Sequence, residues 1–309
     1  MALLDDWTEE QKIDFRKKTV LFSHKLAQLD LFSDEALIEL LDKHPRDLLD
    51  VNTMGATDHP RYPNRHLTGD CRNTEGKHLL AAAKAGRIFI SLRYAMLIYP
   101  EYKKILDQMY LELGSFTGLK PRGLTGTILI SSPISQTPYH FDKKEVILWH
   151  LRGKKRMYVY PRSEKFLPAQ EFESVVSSYN DDLPYDASFD VDAEVIDLEP
   201  GMAASWPLNA PHRVDNQSFC VSINTEFATF ESITKISNMV TNAALRKKLG
   251  LDPSYERNSK VTRLMKLVAG QAISRTTRKK ESVEDLVTFR VDPDSPDYIT
   301  EIEPFQRNF

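Results

Sequence analysis

The sequence predicts a mainly β protein, an antiparallel sandwich or barrel with helical flanks, and three features carry that reading. From Leu124 onward, short β-branched runs alternate with turn signals, at 125–132, 145–151, 155–160, 194–198, 202–206 and 219–227. Before that stretch, and again after Phe230, apolar residues recur at the three- and four-residue steps of helices. At 309 residues, with 41% apolar and 28% charged residues, the chain can bury a large core and has the composition of a soluble globular protein.

The elements follow in order. Residues 8–29 read as a helix: Thr8 with Gln11 makes a capping-box pattern, and Ile13, Val20, Leu21 and Leu29 mark parts of an apolar face. Ser33 caps a second helix with Leu37, Leu40 and Leu41 inside, ending before Pro45. Residues 50–75, rich in Asn, Pro, Gly, His and Arg, have no steady period and read as a long loop of the kind that forms lids or binding segments. His59 and His66 lie there without a ligand partner at fixed spacing, so both read as surface histidines. Residues 75–85 look helical and stop at Gly86, taken as a left-handed terminator. A strand over 87–92 and a helix from Pro100 to Leu113 follow, the proline suiting a first turn.

Inside the β region, Gly153-Lys154 and Glu199-Pro200-Gly201 mark turns. After it, Ile233, Ile236, Val240 and Ala243 step along one helix that Gly250 closes. Ser259 caps another, with Val261, Leu264, Val268 and Ala272 on one face. Three regions result: 1–119, helical with the long loop and packing on the core; 120–230, the β core that carries the site; and 231–309, a helical tail whose amphipathic helices offer a dimer seam.

Charge and cysteine usage narrow the class. A net charge of -3 gives no general attraction to nucleic acid or anionic lipid. Residues 246–280 hold eleven Lys or Arg against Asp252 and Glu256, while 281–309 are acidic. This reads as a solvated helical face rather than a nucleic-acid surface, since no aromatic residues interleave for stacking. Cys71 and Cys220 stand far apart, which excludes a disulfide framework and a thiolate zinc site and fits a reducing cytoplasm. Neither a signal peptide nor an apolar run long enough to span a membrane is visible.

The chemistry concentrates in Thr137-Pro138-Tyr139-His140-Phe141-Asp142. On an extended strand His140 and Asp142 share a face, so an imidazole and a carboxylate stand side by side, two of the three ligands of a facial metal triad. His212, in Asn209-Ala210-Pro211-His212, is the candidate third. Such a site leaves open positions on the metal. Lys155 comes fifteen residues after His140, past the Gly153 turn, where its ammonium can meet a carboxylate end group; the Thr137 hydroxyl can bond the same group. Asn224 is a further polar candidate on the alternating strand 220–225. Each alone has a plainer reading: Asp142 as a turn cap, His140 as structural, His212 as a loop histidine. Their joint spacing within a β core favours the metal. Trp149 and Trp206 read as core aromatics, Tyr139 and Phe141 as packing behind the ligands, and His150 as core or rim.

Thr-x-x-His-x-Asp, a glycine turn, Lys at +15 and a distant His resemble the jumonji-C type of Fe(II)- and 2-oxoglutarate-dependent oxygenases. The likeness is greatest to asparaginyl hydroxylases of the factor-inhibiting-hypoxia-inducible-factor kind; it covers about 120–230 well, and the helical flanks only in general outline. The resemblance implies a double-stranded β-helix, a jelly roll of cupin type. It also implies His140, Asp142 and His212 as Fe(II) ligands, Lys155 and Thr137 holding the far carboxylate of 2-oxoglutarate, and Asn224 near that cosubstrate. The implied reaction is oxidation of a substrate C–H bond, on a protein side chain or a small molecule, as 2-oxoglutarate becomes succinate. Two positions depart from the pattern: Val146 where that hydroxylase has Asn, and Met202 after Gly201 where Asp is usual. A different class stays open, a cupin-type binding or regulatory protein that holds metal without turnover. Lys155 and Thr137 argue against it, because mere metal binding needs no buried anchor for a dicarboxylate.

Overall fold

The computed structural model describes residues 2–54, 66–177, 183–276 and 286–307. The first helix, α1 (Glu9–Asp14), has the expected capping box, with Thr8 Oγ1 accepting from the Gln11 N–H and Gln11 Oε1 from the Thr8 N–H. It does not run to residue 29. Phe15 is extended, Arg16 has φ +65°, and Val20–Ser23 form the strand β1. The cause is burial: Ile13 is 62% exposed, whereas Val20 and Phe22 alternate into the core beside Trp7 and Phe15. A period of two prevails over a scattered helical one. Next, α2 (Asp34–Lys43) starts on Ser33, which accepts from the Ala36 N–H, and buries Leu37, Leu40 and Leu41 as expected.

The segment read as a long loop contains two strands, β2 (Leu49–Met54) and β3 (His66–Asp70), paired antiparallel. Val51 and Thr53 turn inward while Asp50 and Asn52 stay half-buried, so polar residues mask the alternation. His59 and the side chain of His66 lie outside the described residues. α3 (Gly76–Ala85) ends at Gly86, but with φ -97° rather than a left-handed turn. Then come β4 (Ile88–Leu92), α4 (Ala95–Ile98) and α5 (Pro100–Thr117), the last a turn longer than its sequence pattern.

The β core keeps its expected boundaries closely: β5 (Arg122–Ser131), β6 (Gln136–His140), β7 (Glu145–Arg152) and β8 (Lys155–Val159), then α6 (Ala169–Ser177), β9 (Glu194–Leu198), β10 (Met202–Ser205), β11 (His212–Asn216) and β12 (Cys220–Ala228). They form two facing layers. One is the four-stranded sheet β6-β11-β8-β9; the other is β10-β7-β12-β5 inside a ten-stranded sheet that β1 extends at one edge. This is the jelly roll, and every pairing within its two layers is antiparallel.

Period-two alternation sends each strand's side chains into two different environments. Between the layers, Val146, Leu148, Met157, Val159, Ile196 and Val214 belong to an inner cluster. On the outer face of the large sheet, Ile128, Ile130, Ile147, Trp149 and Ile223 pack under the N-terminal helices. A third cluster, holding Tyr139, Phe141, Tyr160 and Phe172, covers the outer face of the small sheet, so Tyr139 and Phe141 do pack behind the histidine strand.

The tail begins as expected with α7 (Phe230–Leu249) and α8 (Lys260–Thr276), Ser259 Oγ accepting from the Thr262 N–H. The described residues beyond it are strands, β13 (Leu286–Val291) and β14 (Ile299–Gln306). β13 pairs with β3 in parallel, and Arg307 bonds Asp50 at 2.6 Å. The alternation of β14 is diluted by proline and acids, whereas β13 alternates cleanly with Val287, Phe289 and Val291 inward and was overlooked within the segment read as helical tail. No helix among the described residues is long and apolar enough to cross a membrane.

Candidate metal centre

His140 closes β6, His212 opens β11, and the pairing sets them directly opposite one another. Asp142 follows just past the strand and faces both rings, Oδ2 lying 3.3 Å from His212 Nε2 and Oδ1 3.8 Å from His140 Nε2. One ligand atom from each of the three lies within 4.8 Å of the others. Donors bound cis to one ion at about 2.1 Å stand about 3 Å apart, so a small inward adjustment of this set suits a divalent metal. The structure therefore brings together the three residues that the sequence spacing singles out.

The second nitrogen of each ring fixes its orientation. His140 Nδ1 is 2.8 Å from the Pro138 carbonyl and His212 Nδ1 is 3.1 Å from the Ala210 carbonyl. A carbonyl oxygen can only accept, so each Nδ1 carries the hydrogen and each Nε2 keeps its lone pair for a metal. Burial, reinforced by neighbouring His140, holds His212 well below the ordinary imidazole range, in the neutral form a ligand needs. The Trp206 ring lies 4.6 Å from that of His212 and walls the site.

Asn209 is a residue the sequence reading missed. It sits at φ +59°, and its amide donates to the Asp142 carbonyl at 2.6 Å, tying the loop before His212 to the Asp142 turn. An Asn just before Ala-Pro-His was the available signal, since Asn tolerates the left-handed region better than most residues.

Lys155 opens β8 after a turn in which Gly153 takes φ +86°; a Cβ there would stand 2.1 Å from the Phe219 carbonyl. The lysine is 3% exposed, and its recorded partner is a hydroxyl, Ser222 Oγ at 3.1 Å; no acid pairs with it among the described residues. Burial pulls its ammonium below the ordinary lysine range. At the same end of the barrel, Asn216 pairs with Lys155 across the small sheet and Ser131 pairs with Cys220 across the large one. Asn216 Oδ1 and Ser131 Oγ are buried without hydrogen-bond partners. A buried cation beside two unmatched polar atoms is an environment that an anionic group would complete.

The other candidates fall on the same inner face. Thr137 pairs with Val214, whose other neighbour is Met157, one row nearer the metal ligands than Lys155; the structure records no bond between Thr137 and Lys155. Along β8 the Lys155 row and the histidine row are four residues apart, roughly 13 Å. Asn224 pairs with Thr127 and Leu148, two residues on from Ser222. Val146 and Met202 make this wall apolar. His150, read as core or rim packing, is fully buried and also hydrogen-bonded, its Nδ1 3.0 Å from Ser222 Oγ. Ser222 carries the same signal as Asn224, two residues away on an alternating strand.

No protein-family model matches the sequence, and no curated protein matches it. Solved structures do. The X-ray structure of E. coli ycfD has a TM-score of 0.51 at 15% identity, over 90% of this chain and 70% of that one. YcfD, a ribosomal oxygenase from Escherichia coli, in complex with cobalt and 2-oxoglutarate, gives 0.51 and 15%, over 89% and 68%. The fold is that of YcfD. Its likeness to YcfD covers 90% of the chain, the helical flanks as well as 120–230.

Proposed function

We propose that this chain is an Fe(II)- and 2-oxoglutarate-dependent oxygenase of jumonji-C type, with His140, Asp142 and His212 as iron ligands. The observation that carries this reading is Lys155, a buried ammonium with no acid among the described residues, on the same inner face as the three ligands. A protein that only held metal would need the second feature and not the first. The fold shared with YcfD, which is known in complex with cobalt and 2-oxoglutarate, supports the same reading.

When bound, iron and 2-oxoglutarate supply the oxidising chemistry. The chain's residues supply position and exclusion of water. Lys155 holds the far carboxylate by charge-assisted bonds, with Thr137 a row closer to the ligands and Asn224 on the facing sheet. Val146, Leu148 and Met157 line the space between with hydrocarbon. Asn209 keeps the Asp142 turn and the His212 loop in register with each other.

A protein side chain is the substrate class we favour, since YcfD is a ribosomal oxygenase and the motif also resembles asparaginyl hydroxylases. The two buried, free cysteines suit a reducing cytoplasm. No nucleic-acid role is proposed for 246–280: Arg246 pairs with Glu173 and Asp252, and Lys266 donates to Asn242 Oδ1 at 2.6 Å. The seam of a homodimer, in contrast, has a candidate in α8. Its Gly270 face lies against the Ser237 backbone of α7, while Val261, Leu264, Met265 and Val268 are all at least half exposed. Light scattering of the wild type and of Val268→Asp tests this; a wild-type monomer at all concentrations excludes the seam.

The decisive test of function is succinate release from 2-oxoglutarate, with and without candidate peptides. Release that requires both Fe(II) and oxygen is expected. Tight binding of both without any release would favour the alternative, a non-catalytic metal-binding cupin-type regulator.

A further inference from the structure

Three buried side chains at the Lys155 end of the barrel form a directed hydrogen-bond chain. His150 Nε2 lies 2.9 Å from the Gly153 carbonyl, His150 Nδ1 lies 3.0 Å from Ser222 Oγ, and Lys155 Nζ lies 3.1 Å from that same oxygen. All three are within 3% of complete burial. Chemistry fixes every hydrogen. The Gly153 carbonyl only accepts, so Nε2 carries the imidazole hydrogen and Nδ1 is left as an acceptor. Ser222 must then donate its hydroxyl hydrogen to Nδ1, and its oxygen must accept from Lys155, because an ammonium only donates. Burial, with Lys155 adding to it, pushes His150 down to about 4 and so keeps the ring neutral.

We propose that His150 and Ser222 are positioning residues for the Lys155 ammonium, orienting its two remaining N–H donors toward the carboxylate of a dicarboxylic ligand. This rests on the oxygenase reading and deepens it. The Gly153 turn thereby has a second role: the backbone that reverses the chain between β7 and β8 also sets the tautomer that orients the anchor. If His150 Nδ1 carried the hydrogen instead, the Ser222 hydroxyl would be released from it. Lys155, four bonds of free rotation long, would then lose its fixed partner.

The test uses full-length protein loaded with Mn(II) without oxygen, so that binding is read without turnover. Two probes are titrated by calorimetry: 2-oxoglutarate, and 2-oxopentanoate, which keeps the 2-oxo acid and lacks the far carboxylate. Ser222→Ala and His150→Phe are each expected to weaken 2-oxoglutarate about tenfold and to leave 2-oxopentanoate and Mn(II) unchanged. Because both act through one hydroxyl, the double variant should be no weaker than Ser222→Ala alone. Equal losses for both probes, or losses that add in the double variant, would overturn the positioning role. Should His150→Phe fail to fold, Ser222→Ala with the two probes decides alone. A wild type that binds no 2-oxoglutarate defeats the oxygenase reading itself. A wild type that binds it through Lys155, with Ser222→Ala unaffected, defeats only the present inference.

Discussion

The two faces of the same central strands bury different polar chemistry. On the outer face, Thr225 Oγ1 is fully matched, although Ser205 Oγ and Trp7 Nε1 lack partners among the described residues: it accepts from Trp149 Nε1 at 2.9 Å and from the Tyr110 hydroxyl at 2.7 Å, and donates to the Ile147 carbonyl at 3.2 Å. One donor and two lone pairs are all used. On the inner face, one residue away along the strands, Lys155 has no acid, and Ser131 Oγ and Asn216 Oδ1 have no partner, among the described residues. Native interiors seldom leave such groups unmatched, because each costs free energy. What sets the inner face apart is a buried ammonium without an acid among the described residues.

The largest expected effect tests the inner face. Asp142→Ala, or His212→Ala, should abolish the rise in melting temperature that Fe(II) or Mn(II) gives the wild type, while leaving the metal-free protein folded. Retained metal stabilisation in both variants would mean that the three residues are not a ligand set.

Acid attacks both faces and separates them. Burial pushes His24, beside the outer-face Trp149, and His150, on the inner face, each down to about 4. The folded values lie below the unfolded value of about 6.5, so the unfolded chain binds more protons in between. The stability tied to these rings is present above pH 6.5 and is lost as pH falls toward 4. The loss is at most on the order of 3 kcal/mol for each ring. Urea midpoints across pH 4 to 7 measure it. His24→Gln should remove part of the slope, and a slope unchanged in that variant would show that the ring titrates normally.

Next in size is a matched pair of substitutions. Thr225→Val leaves the Trp149 N–H and the Tyr110 hydroxyl without an acceptor and should cost about 2 to 4 kcal/mol. Ser131→Ala removes a hydroxyl that has no partner and should change stability by less than about 0.5 kcal/mol. Similar losses at the two positions would dissolve the contrast between the faces.

The same contrast explains what could be read from the sequence. Strands β5 to β12 were legible because both faces are mostly buried, which leaves runs such as 145–151 densely apolar between turn residues. The candidate triad was legible because His140-x-Asp142 places an imidazole and a carboxylate on one face by alternation alone, and the opposing His212 needed only an antiparallel partner strand. Asn209 and Ser222 were not singled out. Their roles arise from a backbone carbonyl and from a side chain on another strand, contacts that only the folded register creates. β1 was read as helix because Ile13 suggested a helical face that the tertiary structure leaves in solvent. β2, β3 and β14 were hidden by Asn, Gly, Pro and acidic residues, since edge regions of a sheet need no dense apolar signal, while the clean Val-x-Phe-x-Val alternation of β13 was overlooked inside a segment read as helical.

The smallest effect is the most diagnostic, because its sign is unusual. Lys155→Met keeps the length of the side chain and removes a buried cation that has no counter-charge. The metal-free protein should become more stable by about 1 kcal/mol near neutral pH, whereas most core substitutions destabilise. The gain should shrink as pH rises. The folded lysine titrates below the unfolded value of about 10.4, so the unfolded wild type binds more protons in that window. Raising the pH through that window therefore restores stability to the wild type and leaves the methionine variant unchanged. In the presence of Mn(II) and 2-oxoglutarate the order should reverse, since only the wild type gains binding free energy from the far carboxylate. Guanidinium denaturation of both proteins, with and without ligand, reads all three comparisons. A variant less stable than wild type in every condition would make Lys155 an ordinary structural residue of the core.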